Sequence, residues 1–498
     1  MKTDCSVKQV EFDSVGRRKL VAAFDGEHIS SDGGLTLLHQ VDQRFGLMRK
    51  FAACFKDFRR PEWIEHTVEE LVRQRVFGIT CGYEDLVDHQ TLRRDPLLAA
   101  VVGKAEPQKQ ALASPSTLNR LELTPADATP EARYRKGVYD GPAIENFFVD
   151  AFLEAHRIHG TQEGRFFHGY YGNDCYLPLY IFAGDFLLCA KLRTSDIDAS
   201  SGALEEVQRI VSRIRARWPK TRILLRADSG FTRDELMAWC EQSGIDFVFG
   251  LARNARLEAM IEPDLKLVRA VSLEEREGAP VRAYRELRYR TRDSWTRERR
   301  VVAKAEWLGD KFNPRFVVTS LRPEEHEAQA LYEQLYCARG DMENRIKEQQ
   351  LGLFADRTSA HTLRANQLRL WFASVAYVLL NLLRHFGLKG TELERAQAGT
   401  LRLKLLKLAA IVAASSSPRW CAPGRQPSSP RPARPGGARV GQRHLGHFGA
   451  RQIAPAPLAE RVRQCQLGPV ECARRRAAAS FSVESRARRS SGSARRPA

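Results

Sequence analysis

The sequence has no Cys-x-x-Cys pair and no histidine at zinc-finger spacing, although its ten cysteines run from Cys5 to Cys472. That scatter argues against a metal finger and against a disulfide framework. No secretory signal opens the chain, whose first residues, MKTDCSVKQVEFD, are polar. The most apolar run, LWFASVAYVLLNLL over 370–383, is too short to span a bilayer and reads as a buried helix. A reducing cytoplasm is the expected compartment. Lysine is absent from Ile411 to the end, where 17 Arg face 3 Glu. This tail therefore carries +14 of the formal +19, and the first 410 residues keep only +5. A polyanionic partner, nucleic acid before anything else, has to be argued from local clusters in the body of the chain.

At 498 residues the chain exceeds what one core usually serves, so two or three domains are expected. Residues 1–130 read as mainly helical: a short strand near Leu20–Phe24, then SSDGGLTLLHQVDQRFG with Ser31 or Asp32 as N-cap, periodic stretches at 64–77 and 83–102, and ASPSTLNRLE opening on Ser114 or Ser116. Arg73, Arg75, Arg93, Arg94 and Arg120 on these helices suit DNA contact, and they suit a solvated bundle equally well.

Within residues 131–260 the pattern changes after residue 164. CYLPLYIFAG and DFLLCAKLR form a hairpin about Gly184, and SGALEEVQRIVSRIRARWP is an amphipathic helix with Leu204, Val207, Ile210, Val211 and Ile214 on one face. A strand at 222–227, a helix at 232–242 and a strand at 245–252 follow, giving a mixed α/β sheet with helices packed on it. Residues 261–322 read as a β-rich insertion whose strands VRAYRELRYRTR and RRVVAKAEWLG look solvated. Helices resume over 323–410, most clearly at 327–350. Beyond 411 the Arg/Pro/Ser/Ala-rich tail has no periodicity and is expected to be disordered. It is either a frameshift product or a basic tail that grips phosphates.

Two carboxylates stand out. Asp228 ends the strand RILLRA and is followed by Ser229-Gly230, which can turn the chain away; as a plain alternative it caps the next helix. On the late helix, Tyr336, Arg339, Glu343 and Lys347 share a stripe, a pattern that ordinary i,i+4 ion pairs on a solvated face also produce. Together, a carboxylate at a strand end and another on a later helix suit oxygen ligation of divalent metal from rigid elements.

The blocks GRFFHGYYGNDCYLPLYIFAGDFLLCAKLR, RILLRADSGF, ELMAWCEQSGIDFVFGLARN and YCARGDMENRIKEQQLGLFADRTSAHTLRANQLRLWFASVAYVLL resemble bacterial insertion-sequence DDE transposases, specifically the group numbered thirteen-eighty. The resemblance covers roughly residues 20–410. It implies an RNase H-like core, an acidic triad holding Mg²⁺ or Mn²⁺, and cutting and rejoining of DNA at terminal inverted repeats. By motif, Asp228 matches the second acidic ligand and Glu343 the third, while Tyr336 and Arg339 match a Tyr and an Arg used near the DNA strand. The signature's last Lys is Gln350 here, and Lys347 is the candidate replacement.

Upstream the pattern breaks. The family's hydrophobic first strand, ending in Asp-x-Asp, is missing where PAIENFFVDAFLEAHR runs straight into Ile158, so the first catalytic Asp is read as deleted near 157. Asp140, Asp150 and Asp174 do not occupy its place. The resemblance thus implies a transposase that binds double-stranded DNA ends and target as a homodimer or larger synaptic assembly in the bacterial cytoplasm, at the nucleoid, with catalysis impaired. The alternatives are an inactive remnant that binds element ends, and a metal-dependent nuclease. The loss of a central strand predicts an unpaired sheet edge and low solubility.

Overall fold

The computed structural model describes residues 9–15, 18–23, 29–156, 176–194, 196–274, 281–308, 311–412 and 478–485. One compact unit comprises Met1–Ile411 with Arg474–Ala498; the other, Val412–Ala473, is described only at Val412.

In the N-terminal third, a Gln9–Val15 and Arg18–Ala23 hairpin precedes the helices Leu35–Phe45, Val68–Cys81, Pro96–Val102 and Pro115–Glu122. Thr67 and Glu70 close a reciprocal cap on the Val68–Cys81 helix, and Ser114 caps the Pro115–Glu122 helix by accepting from the Thr117 amide, as expected. Neither Ser31 nor Asp32 caps the first helix, which starts behind Gly34 without a side-chain cap. Asp32 instead lies buried, accepting from Tyr83 Oη at 2.8 Å and pairing with Lys407 at 2.8 Å. The periodic 83–102 stretch breaks at Asp95-Pro96, because proline has no amide hydrogen to continue a helix and instead starts the next one.

The Leu363–Phe386 helix is buried along most of its length and packs against the Val68–Cys81 and Leu35–Phe45 helices and the Phe186–Lys191 strand. This explains the apolar run at 370–383 without a membrane. Among the described residues no helix is long and apolar enough to cross one.

Among the described residues the main sheet has nine strands and mixes parallel with antiparallel neighbours. Its path runs Val281–Tyr289, Arg299–Leu308, Arg315–Thr319, Asp246–Leu251, Arg222–Ala227, Ala478–Ser485, Leu179–Ala183, Phe186–Lys191, with Lys311–Phe312 beside the second of these. The Leu179–Ala183 and Phe186–Lys191 hairpin turns at Gly184, whose φ of 59° is the left-handed region. The Ala203–Arg217 helix lays Val207, Ile210, Val211 and Ile214 inward, as its spacing predicts, while Leu204 is only half-buried.

Two expectations are corrected here. The strand Arg299–Leu308 is buried for its first eight residues, not solvated, and the strands read as an insertion continue the main sheet through Arg315–Thr319. Its charges are paired inside: Lys304 Nζ lies 2.5 Å from Glu306, and Arg299 reaches Asp234 at 2.6 Å and Glu241 at 2.9 Å. The second correction concerns the gap. The sheet presents no raw edge between the hairpin and the Asp228 strand, because Ala478–Ser485 from the tail pairs parallel to Arg222–Ala227 and antiparallel to Leu179–Ala183. That strand occupies the place where the sequence reading expected a gap. Residues 157–175, including the proposed deletion point and Asp174, lie outside the described residues.

Candidate active site

The strand Arg222–Ala227 buries Ile223, Leu225 and Ala227 and delivers Asp228 to the sheet's end with only 8% of its surface exposed. A tight turn at Ser229–Phe231 follows. Asp228 Oδ1 accepts the Gly230 amide hydrogen at 2.7 Å, so it caps this tight turn and not the Asp234–Gln242 helix, which starts behind Arg233 without a side-chain cap. Thr232 Oγ1 donates to the Gly250 carbonyl in the Asp246–Leu251 strand, locking the turn to its neighbour.

The late helix is not the uniform α-helix its sequence predicts. Leu331–Tyr336 is wound with the wide i→i+5 pattern, Cys337–Gly340 tightens to i→i+3, Asp341–Lys347 is α-helical, and Glu348–Gly352 widens again. Such changes of winding are frequent at functional sites because they re-aim side chains. Here they bring Tyr336 against the sheet. Arg226 Nη1 donates to the Leu335 carbonyl at 3.0 Å, holding that turn over the Asp228 strand.

The sequence reading missed Gly250. A methyl group there would lie 2.5 Å from Tyr336 Oη, 3.0 Å from the Ser229 nitrogen and 3.3 Å from the Asp228 carbonyl carbon, so only glycine lets the phenol and the Asp228 turn approach. A glycine inside the apolar strand FVFGLA was the available signal.

Contacts then run along the helix. The Arg339 guanidinium sits 5.2 Å from the Tyr336 ring centroid, and its Nη1 is 3.6 Å from Glu343 Oε1. Burial pushes the Tyr336 phenol's pKa up; the Arg339 charge opposes and Asp228 adds to the rise. The Tyr336 hydroxyl and the backbone of the Asp228 turn thus meet at Gly250, and Arg339 and Glu343 continue from Tyr336 along the helix. Lys347 is exposed one turn beyond Glu343, and Gln350 is buried.

Other expected residues fall elsewhere. Asp140 accepts the Ala143 amide hydrogen at 3.0 Å, and Asp150 pairs with Arg213 at 2.6 Å, so neither supplies a third carboxylate. Arg73 is held by Asp42 and Glu69, and buried Arg75 by Glu122 at 3.0 Å. Those two arginines hold the fold and do not offer a DNA face; Arg94 and Arg120 are exposed. A cleft of about 850 Å³ is lined by Arg222, Leu224, Arg226, Asp341, Asn344 and Arg345, and neither Asp228 nor Glu343 lines it.

Divalent metal is tested by the donor set. Among the described residues no three His, Cys, Asp or Glu side chains come together as a metal group. Among the described residues, two carboxylates alone do not fit the shared oxygen cage a metal pair needs.

No curated protein matches the sequence. Among solved structures, the piggyBac transposase synaptic complex with hairpin DNA, determined by cryo-EM, aligns at 11% identity with a TM-score of 0.34, covering 74% of this chain and 80% of that one. The family described as Transposase DDE domain group 1 matches residues 12–422, which include Asp228, Tyr336, Arg339 and Glu343. Matched over most of its length, the chain belongs to that transposase family.

Proposed function

We propose that this transposase recognises the terminal inverted repeats of its own insertion sequence, as a homodimer or larger synaptic assembly, and that its cutting and joining activity is impaired. The observation that carries the reading is the contact chain from Asp228 over Gly250 to Tyr336, Arg339 and Glu343. Asp228 and Glu343 are the two carboxylates of a three-carboxylate site, and Tyr336, Arg339 and Lys347 are the groups that face the DNA strand. With the donor set incomplete, no metal-dependent step is assigned to the chain. The reading is thus a DNA-end binder of the transposase family acting in the bacterial cytoplasm at the nucleoid.

The test is binding of the full-length chain to duplex carrying an element end and to a scrambled duplex of equal length. Preference for the end is expected to survive competitor DNA at moderate salt. Removing the Arg-rich residues 486–498 should lower affinity for both duplexes alike and flatten the salt dependence, because phosphate contacts release counterions without reading bases. Equal affinity of the full-length chain for the two duplexes would remove the end-recognition claim.

A further inference from the structure

The segment AASFSVES, 478–485, pairs with two strands at once, Val483 level with Ala227 on one side and Ile181 on the other. Both flanking strands are interior. Leu179–Ala183 is buried at every position, and Ile223, Leu225 and Ala227 are completely buried. Without a strand between them the sheet would divide into the hairpin and the remaining strands. Each new edge would expose backbone donors and acceptors with no partner.

We propose that residues 478–485 are a complementing strand that the chain inserts from its far end into the centre of its own sheet, and that this insertion holds the Asp228 strand in place. The occupant is the chain's own tail. The 65 residues between Val412 and Ala478 can span up to roughly 200 Å when extended, so reach is not limiting. A tether of that length still gives the strand an effective concentration far above that of a second copy in dilute solution. The direction is fixed as well: parallel to Arg222–Ala227 and antiparallel to Leu179–Ala183, with Val483 level with Ala227, the residue before Asp228. The inference does not rest on the DNA-binding reading.

Two measurements on the full-length chain test it. In the first, Ala183→Cys is combined with Phe481→Cys, which the register pairs directly, and the control combines Ala183→Cys with Ala479→Cys, two positions off register. A short bismaleimide is expected to link the first pair within one chain, at least tenfold faster than the control and independently of protein concentration. Linking between chains would mean that a second copy supplies the strand. Equal rates for the two pairs would mean that no such register exists, and either result overturns the proposal. The second measurement is amide hydrogen exchange in the unmodified chain. Every amide from Ile223 to Ala227 should be protected, including the alternate ones that point away from the Asp246–Leu251 strand. Rapid exchange at those alternate positions would overturn the proposal whatever the crosslinking shows.

Discussion

Replacing Arg299 by methionine should cost about 3–5 kcal/mol of unfolding free energy, the range found when one partner of a buried ion pair is removed. The Arg299 side chain is 2% exposed and bridges Glu241, at 2.9 and 3.1 Å, to Asp234 at 2.6 Å. Burial alone would raise the pKa of both carboxyls; the guanidinium outweighs it and holds them below their ordinary values. Without the arginine, the two charges stay in a poorly solvated place with only Arg297 close to Glu241. The deficit should shrink as pH falls through about 4, because protonation of the carboxyls removes the uncompensated charges. Urea unfolding at neutral and acid pH measures both effects. A loss under about 1 kcal/mol at neutral pH would show that this bridge does not anchor the Asp234–Gln242 helix, which follows the Asp228 turn.

Gly250→Ala should destabilise by about 1–3 kcal/mol, as overpacking does where neighbours cannot give way. The clash is with the Tyr336 hydroxyl first and with the backbone of the Asp228 turn second. A double-mutant cycle separates the two. Tyr336→Phe removes the oxygen at 2.5 Å, so Gly250→Ala should cost less in that background, leaving only the backbone contacts at 3.0 and 3.3 Å. Equal cost with and without the hydroxyl would show that Tyr336 does not rest on Gly250, and the link between helix and Asp228 would be lost with it.

What the sequence disclosed follows from local rules. An apolar strand ending in Asp-Ser-Gly, a helix with its apolar positions three and four apart, and a hairpin about Gly184 need no distant partner to be recognised. The helix at 331–352 was legible as a helix, but its changes of winding come from docking on the sheet, where Arg226 holds the Leu335 carbonyl. The charged strand Arg299–Leu308 looked solvated because composition does not reveal that its arginines and lysine meet carboxylates from other elements. Arg73 and Arg75 misled for the same reason. AASFSVES went unnoticed inside a compositionally biased tail, since an eight-residue strand there is specified by the slot it enters more than by its own pattern. Asp228 and the Tyr336, Arg339 and Glu343 stripe stood out from local pattern and took their expected roles from the family resemblance, while Gly250 requires the three-dimensional approach of Tyr336 to show its purpose.

The central proposal is that the carboxylates of the described residues are too few to hold a metal pair in this member of the transposase family. The direct measurement is incubation of the unmodified full-length chain with Mg²⁺ or Mn²⁺ and a duplex carrying the element's end, followed by separation of nicked from intact strands. No metal-dependent nick at the end is expected. End-specific nicking that disappears with chelator and with Asp228→Asn or Glu343→Gln would contradict the claim. If Glu484→Gln abolished that nicking too, the third carboxylate would be one that the tail strand supplies.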